Sequence, residues 1–579
     1  MTMRQDSGTE DWPLRPWIMA AICATAGWAF YLFMDRPVMM ATGIMPVWRL
    51  AGTTFVAIAA ISFVLTVEQR RWLWSLGFAV GWGAVIALVG WFTASYNQYP
   101  TIFEWPFLSG VFAVLLAAPL FQTLRDTFSE GGAWRFPYAK LHGHAWTDAV
   151  IGAASLAFVG VAFLLAWLIA GLFNLIGIEL IKDLLNKEWF GWMLAGFAFG
   201  SAVGLLRERD ALVATLQRLV MVVLGVLAPV LAAALLLFLA SLPFTGLSGL
   251  WESNIPATPM MLLAGAGAVL LANAVIGNGD DDRATSRVLR ISAQTLVIVV
   301  LPLAIVAAIS LGQRIGQYGL TPERMWGVVA VGVAIGYGIA GWWVVAKGRN
   351  DFDDFLRPLQ TKLALGLCAL ALFLALPILD FGLMSAASQM SRLTAGKVTP
   401  AEFDWKAMAF DFGPAGRARL AEIAKSGPLD QRKLAATALS SDTRHEVQEE
   451  VEKTASAASL DRYMRVLPEG TTLSPAQREA VAATPLCREQ ACVVTLIDER
   501  SGVVAGRVFA DSNIAVNTIT MNAKGQWTHE FVSSAPEIKS SATGEKIAPI
   551  DFANDPIEVR TVTRRQLYID GEPVGDAFE

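Results

Sequence analysis

Between Leu219 and Phe244 the chain carries no charged side chain at all. So apolar a run must be buried in protein on every side or sit in lipid. A bilayer core about 30 Å thick is crossed by about 20 helical residues, each rising about 1.5 Å. In lipid every backbone N–H and C=O must bond within its own segment, which selects helices. The signature recurs along the chain, and eleven segments qualify, near 17–34, 48–67, 72–94, 103–122, 149–175, 189–206, 219–242, 259–277, 293–312, 325–346 and 363–384. The segment 189–206 is short, so ten or twelve spans also fit. The expected fold class is an α-helical polytopic membrane bundle of about eleven transmembrane helices. The first segment is too long for the apolar stretch of a signal peptide and lacks a small-residue cleavage site after it, so it is expected to be retained.

The remainder reads differently. Charged residues make up 16% of the chain, against about 25% in soluble domains. The deficit is uneven, with 23 of the 45 Lys and Arg in residues 1–384 and 22 in the much shorter stretch 385–579. That shift places a boundary near Ser385 and predicts three regions: a bundle over 1–384, a helical linker region over 385–485 and a β-rich domain over 486–579. In the linker, Gly416 to Lys425 and Asp430 to Lys453 show helical spacing, and Ser474 with Pro475 marks a helix start. Beyond it, Cys492 to Ile497, Val503 to Phe509, Ile514 to Met521 and Trp527 to Val532 are β-rich runs, and Asp570-Gly571 is a hairpin signal. The tail is thus expected to be a soluble α+β domain, short helices followed by a small, mostly antiparallel β-domain.

Basic residues set the orientation, because cytoplasmic loops are enriched in Lys and Arg. One set of alternate loops holds 17, among them Arg15, Arg70, Arg71, Arg125, Arg207 and Arg209, and the other holds 6. The N-terminus is therefore expected in the cytoplasm. An odd number of crossings sends the tail outside, into the periplasm of a two-membrane bacterium. Cysteine usage bears on the same point. Cys23 and Cys368 fall in apolar segments, whereas Cys487 and Cys492 are the pair in the tail. A close pair in an oxidising compartment is expected to form a disulfide; free thiols are the alternative. A metal site is disfavoured, since no second Cys or His pair stands at ligand spacing.

Chemistry-bearing residues are scarce in the apolar segments. Arg49, Glu104, Asp148 and Asp380 fall near segment ends, where side chains can reach the interface. The central parts offer Asn273, Gln294 and Tyr337, with no carboxylate or histidine chain to relay protons. Gly196, Gly200 and Gly204 form a row at four-residue spacing, and Gly77 with Gly81 and Gly332 with Gly336 repeat it; helix packing within the chain is the expected use. Pro229 and Pro302 fall mid-segment, where a kink is expected. Ile178 to Glu188 reads as a short amphipathic helix on the outer surface, with Trp189 and Trp192 in the interfacial belt. His142 and His144 form an H-x-H pair, too few ligands to fix a metal. In the loop 313–324, Thr321 is expected to cap the next helix, with Pro322 at its first position, Glu323 on the positive end of its dipole and Gly319 making the turn. Arg314, Tyr318 and Arg324 are not needed by that structural reading and are the candidate binding residues. The tail has no phosphate loop, H-E-x-x-H or G-x-S-x-G pattern.

The run Tyr138-Ala139-Lys140-Leu141 through Ala145-Trp146, the loop Tyr318-Gly319-Leu320-Thr321-Pro322-Glu323-Arg324, and Phe403-Asp404-Trp405 with Phe410-Asp411-Phe412-Gly413 resemble a family of bacterial multi-pass membrane proteins, domain of unknown function 4153, over roughly residues 130–425. The resemblance implies a bacterial inner-membrane location and carries no catalytic residues.

The functional expectation is an integral inner-membrane protein whose bundle anchors an envelope-facing module that binds another protein or a glycan. The alternative is a transporter or lipid-handling channel, for which eleven spans are more than an anchor needs. A membrane enzyme on a lipid-linked substrate ranks third, and the leaning is against enzymatic activity. No catalytic residue, metal or cofactor is expected. The lipid bilayer is the expected partner, and a net charge of −5 with no basic tract argues against nucleic acid.

Overall fold

The computed structural model describes residues 12–34, 45–94, 100–129, 134–246, 256–279, 286–487, 490–507, 513–523, 525–536, 565–569 and 572–578, with residues 551, 552, 554 and 557. Two compact units divide the chain, one of Met1–Thr394 with Ala407–Arg419, the other of Ala395–Lys406 with Leu420–Glu579.

The first unit is helical. Its elements are α1 (Arg15–Phe33), α2 (Val47–Thr66), α3 (Trp72–Ala94), α4 (Pro100–Ser129), α5 (Tyr138–Leu175), α6 (Leu180–Leu185), α7 (Glu188–Arg207), α8 (Asp210–Thr245), α9 (Ala257–Ile276), α10 (Arg287–Tyr318), α11 (Pro322–Gly348), α12 (Phe352–Ala375) and α13 (Phe381–Thr394). Eleven of the described helices, all but α6 and α13, are long and apolar enough to cross a bilayer. Several run well past the apolar stretches from which they were read. Helix α5 has 38 residues and α8 has 36, which at about 1.5 Å per residue exceeds any hydrocarbon core. Hydropathy marks where lipid ends; it does not mark where the helix ends. Helices α8 and α10 continue through Pro229 and Pro302. The segment read as an amphipathic helix forms only the six residues of α6.

Neighbouring helices pack in two groups. In one, α1 lies against α7, α2 against α3, and α5 against α7. Gly196, Gly200 and Gly204 explain the first contact: a Cβ on Gly200 would stand 2.9 Å from the Cβ of Cys23, and one on Gly204 would stand 2.5 Å from the Cα of Pro16. The glycine row therefore serves packing within the chain. The other two rows do not, since a Cβ at Gly77, Gly81, Gly332 or Gly336 would meet nothing within 4 Å. In the second group α8 to α12 share one apolar core, with Leu296, Leu303, Ala268 and Val344 fully buried. The groups meet where α4 crosses α12: Ser109 Oγ donates to Ala371 O at 2.8 Å. Trp105 also stacks on Trp326 of α11 at 5.9 Å.

The second unit holds α16 (Leu429–Ser440), α17 (Arg444–Tyr463), β1 (Met464–Leu467), α18 (Pro475–Ala483), β2 (Cys492–Asp498), β3 (Ser501–Arg507), β4 (Asn513–Met521), β5 (Trp527–Pro536), β6 (Arg565–Ile569) and β7 (Glu572–Phe578). Two further helices, α14 (Trp405–Phe410) and α15 (Gly413–Ser426), straddle the division between the units. The helical run read from Asp430 to Lys453 is two helices. Thr443 accepts from Glu446 N and starts α17 afresh, because a capping side chain satisfies an orphan N–H that a continuous helix would not expose. Ser474 and Gln477 form a capping box at α18. The sheet order is β1-β2-β3-β4-β5, parallel between β1 and β2 and antiparallel elsewhere. Strand β3 alternates buried and half-buried positions, so one face packs on a core of Leu460, Val481, Leu486, Val494, Val504 and Ile519. Cys487, just after α18, and Cys492, the first residue of β2, are joined by a disulfide and buried in that core. Strands β6 and β7 pair with Ile569 opposite Glu572; the Asp570-Gly571 turn lies outside the described residues.

Candidate functional site

The basic ends of the first helical group converge. Helices α1, α3, α5 and α8 begin there, and α2, α4 and α7 end there, as alternation along the chain requires. Between them lies a half-open chamber of about 1370 Å3, lined mostly by charged and polar side chains, with Ile151, Leu206 and Val213 among its apolar ones.

Two ion pairs flank it, each with a buried arginine. Arg125, near the end of α4, has a side chain only 2% exposed. It pairs with Glu68, lies 3.3 Å from Asp126, and donates to Thr66 O at 2.5 Å and Ser75 Oγ at 3.3 Å. Arg207, the last residue of α7, pairs with Asp148 of α5 at 3.2 Å, with side chains 11% and 12% exposed. Gln122 Nε2 donates to the same carboxylate at 2.5 Å. Taking charges out of water costs several kcal/mol per ion, and the cost is offset only when partners and hydrogen bonds are complete; here both arginines are met by carboxylates. His144 Nε2 lies 3.0 Å from Asp126 Oδ2, which ties α5 to α4.

Arg15 is different. It donates to Val67 O at 2.9 Å and Arg207 O at 3.3 Å, so among the described residues its hydrogen bonds go to carbonyl oxygens, with Glu208, Glu68 and Asp210 acting on its charge from further off. Arg70, Arg71, Lys140 and Arg209 add positive charge to the lining, against Glu208 and Asp210. The Nε–H groups of Arg15 and Arg207 are buried without an acceptor among the described residues. Guanidinium groups present planar forks that match phosphate and carboxylate oxygens, so the chamber is equipped to hold an anion.

Sequence reasoning missed this cluster. Arg125 and Arg207 counted there only as loop bases, and Asp148 as a side chain reaching the interface. The structure corrects that: α4 runs on to Ser129 and α5 starts at Tyr138, so these residues stand on helix and face inward. The signal was present as Gln122, Arg125 and Asp126, and as His144, Thr147, Asp148 and Ile151, each at helical spacing.

At the other end of the bundle, Arg314, Tyr318 and Arg324 do come together. Arg314 and Arg324 lie 5.9 and 5.5 Å from the centre of the Tyr318 ring. Arg324 Nη1 also donates to Gly319 O at 2.6 Å. Gly319 takes φ of 76°, Thr321 caps α11 with Pro322 in its first turn, and Gln389 of α13 donates to the carbonyls of Tyr318 and Leu320 at 2.8 and 3.0 Å. Arg392 Nη1 donates to Gly316 O at 3.0 Å. Much of this loop's chemistry is thus spent on holding the turn, while Tyr318 as a residue is 53% exposed.

The remaining residues are dispersed. His142 meets the Tyr138 hydroxyl at 2.9 Å while His144 meets Asp126, so the H-x-H pair splits between different partners. Among the described residues no cluster of three metal-ligating side chains exists. Asn273 and Tyr337 sit in or against the apolar core of α8 to α12, and Gln294 is half-buried. Arg49 stacks over Trp48 at 4.8 Å, Glu104 is exposed, and Asp380 caps α13 through Leu383 N at 2.9 Å.

A bundle with eleven candidate spans, polar at one end and joined to a small mixed-sheet domain, defines a multi-pass membrane protein. Residues 54–422, more than half of the chain, match the family described as domain of unknown function (DUF4153), and the chain belongs to that family. No curated protein and no solved structure matches it.

Proposed function

We propose that the protein resides in a bacterial inner membrane, with its N-terminus in the cytoplasm, and anchors an envelope-facing binding module formed by the helical stretch 385–485 and the β-rich stretch 486–579. The observation that carries this reading is the Cys487–Cys492 disulfide in the core of the sheet, a bond that persists in oxidising compartments. The imbalance of basic residues between alternate loops supports the same orientation. The module has a surface suited to binding: β5 is the last strand in the sheet order, and Phe531 and Val532 are 59% and 55% exposed. A strand that is last in its sheet among the described residues and carries apolar side chains is a surface on which an extended segment of a partner protein can add. On this reading Arg314, Tyr318 and Arg324 face the periplasm and form a second contact for an envelope protein or glycan. A phosphatase fusion at residue 579 is expected to be active and one after Arg290 silent. A photo-crosslinker at Phe531 in the full chain is expected to capture an envelope component; the reverse fusion pattern, or no capture, ends the reading.

The chamber favours a second reading, in which the bundle itself handles a lipid or solute. Its test is movement of a labelled lipid or phosphate across proteoliposomes containing the full chain. Rates equal to those of empty vesicles exclude it.

A further inference from the structure

We infer that the chamber between α1, α2, α4, α5, α7 and α8 is a binding site for a phosphate-bearing anion. The inference rests on the second reading only in sharing its site: binding without movement would leave the inference standing and end that reading.

Three features converge. The first is charge. Arg125 and Arg207 are neutralised by Glu68, Asp126 and Asp148; of the rest of the lining, Arg15, Arg70, Arg71, Lys140 and Arg209 outnumber Glu208 and Asp210, so the surplus is positive. The second is unspent donor capacity. Arg15 and Arg207 touch, Arg15 Nη1 donating to Arg207 O at 3.3 Å, and each keeps a buried Nε–H without an acceptor among the described residues. Buried donors normally find a partner, and a guanidinium fork suits an oxyanion better than a neutral ligand. The third is shape. At about 1370 Å3 the half-open chamber is larger than most small-molecule pockets, and its lining includes the apolar Ile151, Leu206 and Val213. It admits a phosphate group together with the polar body that carries it. That chemistry belongs equally to an anionic lipid headgroup and to a soluble phosphate ester.

The test uses the full chain purified in detergent or in nanodiscs. Thermal unfolding is followed with inorganic phosphate, with glycerol 3-phosphate, and with nanodiscs of phosphatidylglycerol against phosphatidylcholine. Sodium chloride at matched ionic strength is the control. Stabilisation by at least one phosphate-bearing probe beyond the chloride control supports the inference. A response to phosphatidylglycerol alone assigns the source to lipid, and a response to glycerol 3-phosphate or phosphate assigns it to a soluble ligand. The double variant R71A/R209A removes two lining charges outside the buried pairs. It should weaken binding about tenfold or more, as loss of charged hydrogen bonds implies, the ligand-induced shift being measured from the variant's own unliganded unfolding temperature because Arg71 also donates to Arg125 O. No shift with any probe, a shift that chloride reproduces, or an undiminished shift in the variant overturns the inference.

Discussion

Helices α8 to α12 meet largely through Leu296, Leu303, Ala268 and Val344, with a buried Arg357–Asp353 pair on α12, whereas α1 to α7 add the pairs Arg125–Glu68 and Arg207–Asp148 at one end to an apolar core of Met19, Val64 and Val203. Helix α8 is the seam, giving Ala228, Ala232 and Leu235 to the dry core and Val213 to the apolar cluster of the first group beside the chamber. Both groups are built from segments of similar hydropathy, so the difference lies in which helices carry polar turns beyond their apolar stretch. In the dry core cohesion is close packing, which is local and indifferent to salt. In the polar end cohesion depends on complete pairing, and a single missing partner is expensive.

The largest effect should follow from breaking that pairing. Asp148→Ala leaves the Arg207 charge buried and is expected to cost about 3–5 kcal/mol, read as a fall in unfolding temperature in detergent. Asp148→Leu combined with Arg207→Met should recover most of that loss; if the double variant is as unstable as the single one, the cost is packing and the contrast collapses. In the dry core Leu303→Ala should cost about 2–5 kcal/mol through the cavity it leaves, with no rescue by charge changes elsewhere. Gly200→Val, which drives a side chain into α1, should cost about 1–3 kcal/mol or more, whereas Gly77→Val should cost nothing through packing. Removing the disulfide with Cys487→Ala and Cys492→Ala should cost the tail about 2 kcal/mol on the loop-entropy estimate. The smallest effect belongs to Lys433, which meets Glu450 at 2.8 Å but is 61% exposed. Lys433→Met should cost below about 1 kcal/mol. The hydrogen bond that Lys433 donates to Glu450 raises the ammonium pKa, so this small term is present at neutral pH and is lost as strongly alkaline solution deprotonates the lysine.

The apolar helices were legible because about 20 residues without charge have one stable use. The tail's strands were legible from alternation and turn residues, and the disulfide from the isolation of Cys487 and Cys492. The chamber was not, for two reasons. Hydropathy ends before the helices do, so Arg125 and Asp148 read as loop and boundary residues. The Arg207–Asp148 pair also joins positions 59 apart in sequence, a distance across which no local pattern reports. The break at Thr443 was readable, since Thr443 stands three residues before Glu446 at a cap spacing, but continuous helical spacing on both sides masks it.

Water access separates the two groups most directly. Thr147→Cys, in the chamber wall, and Val299→Cys, in the dry core, can be exposed in open membranes to a small water-soluble thiol reagent and quantified by site-resolved mass spectrometry. Rapid modification at position 147 with none at 299 is the expected result. Equal modification at the two positions, or protection of both, would contradict a bundle that is wet at one end of α1 to α7 and dry through α8 to α12.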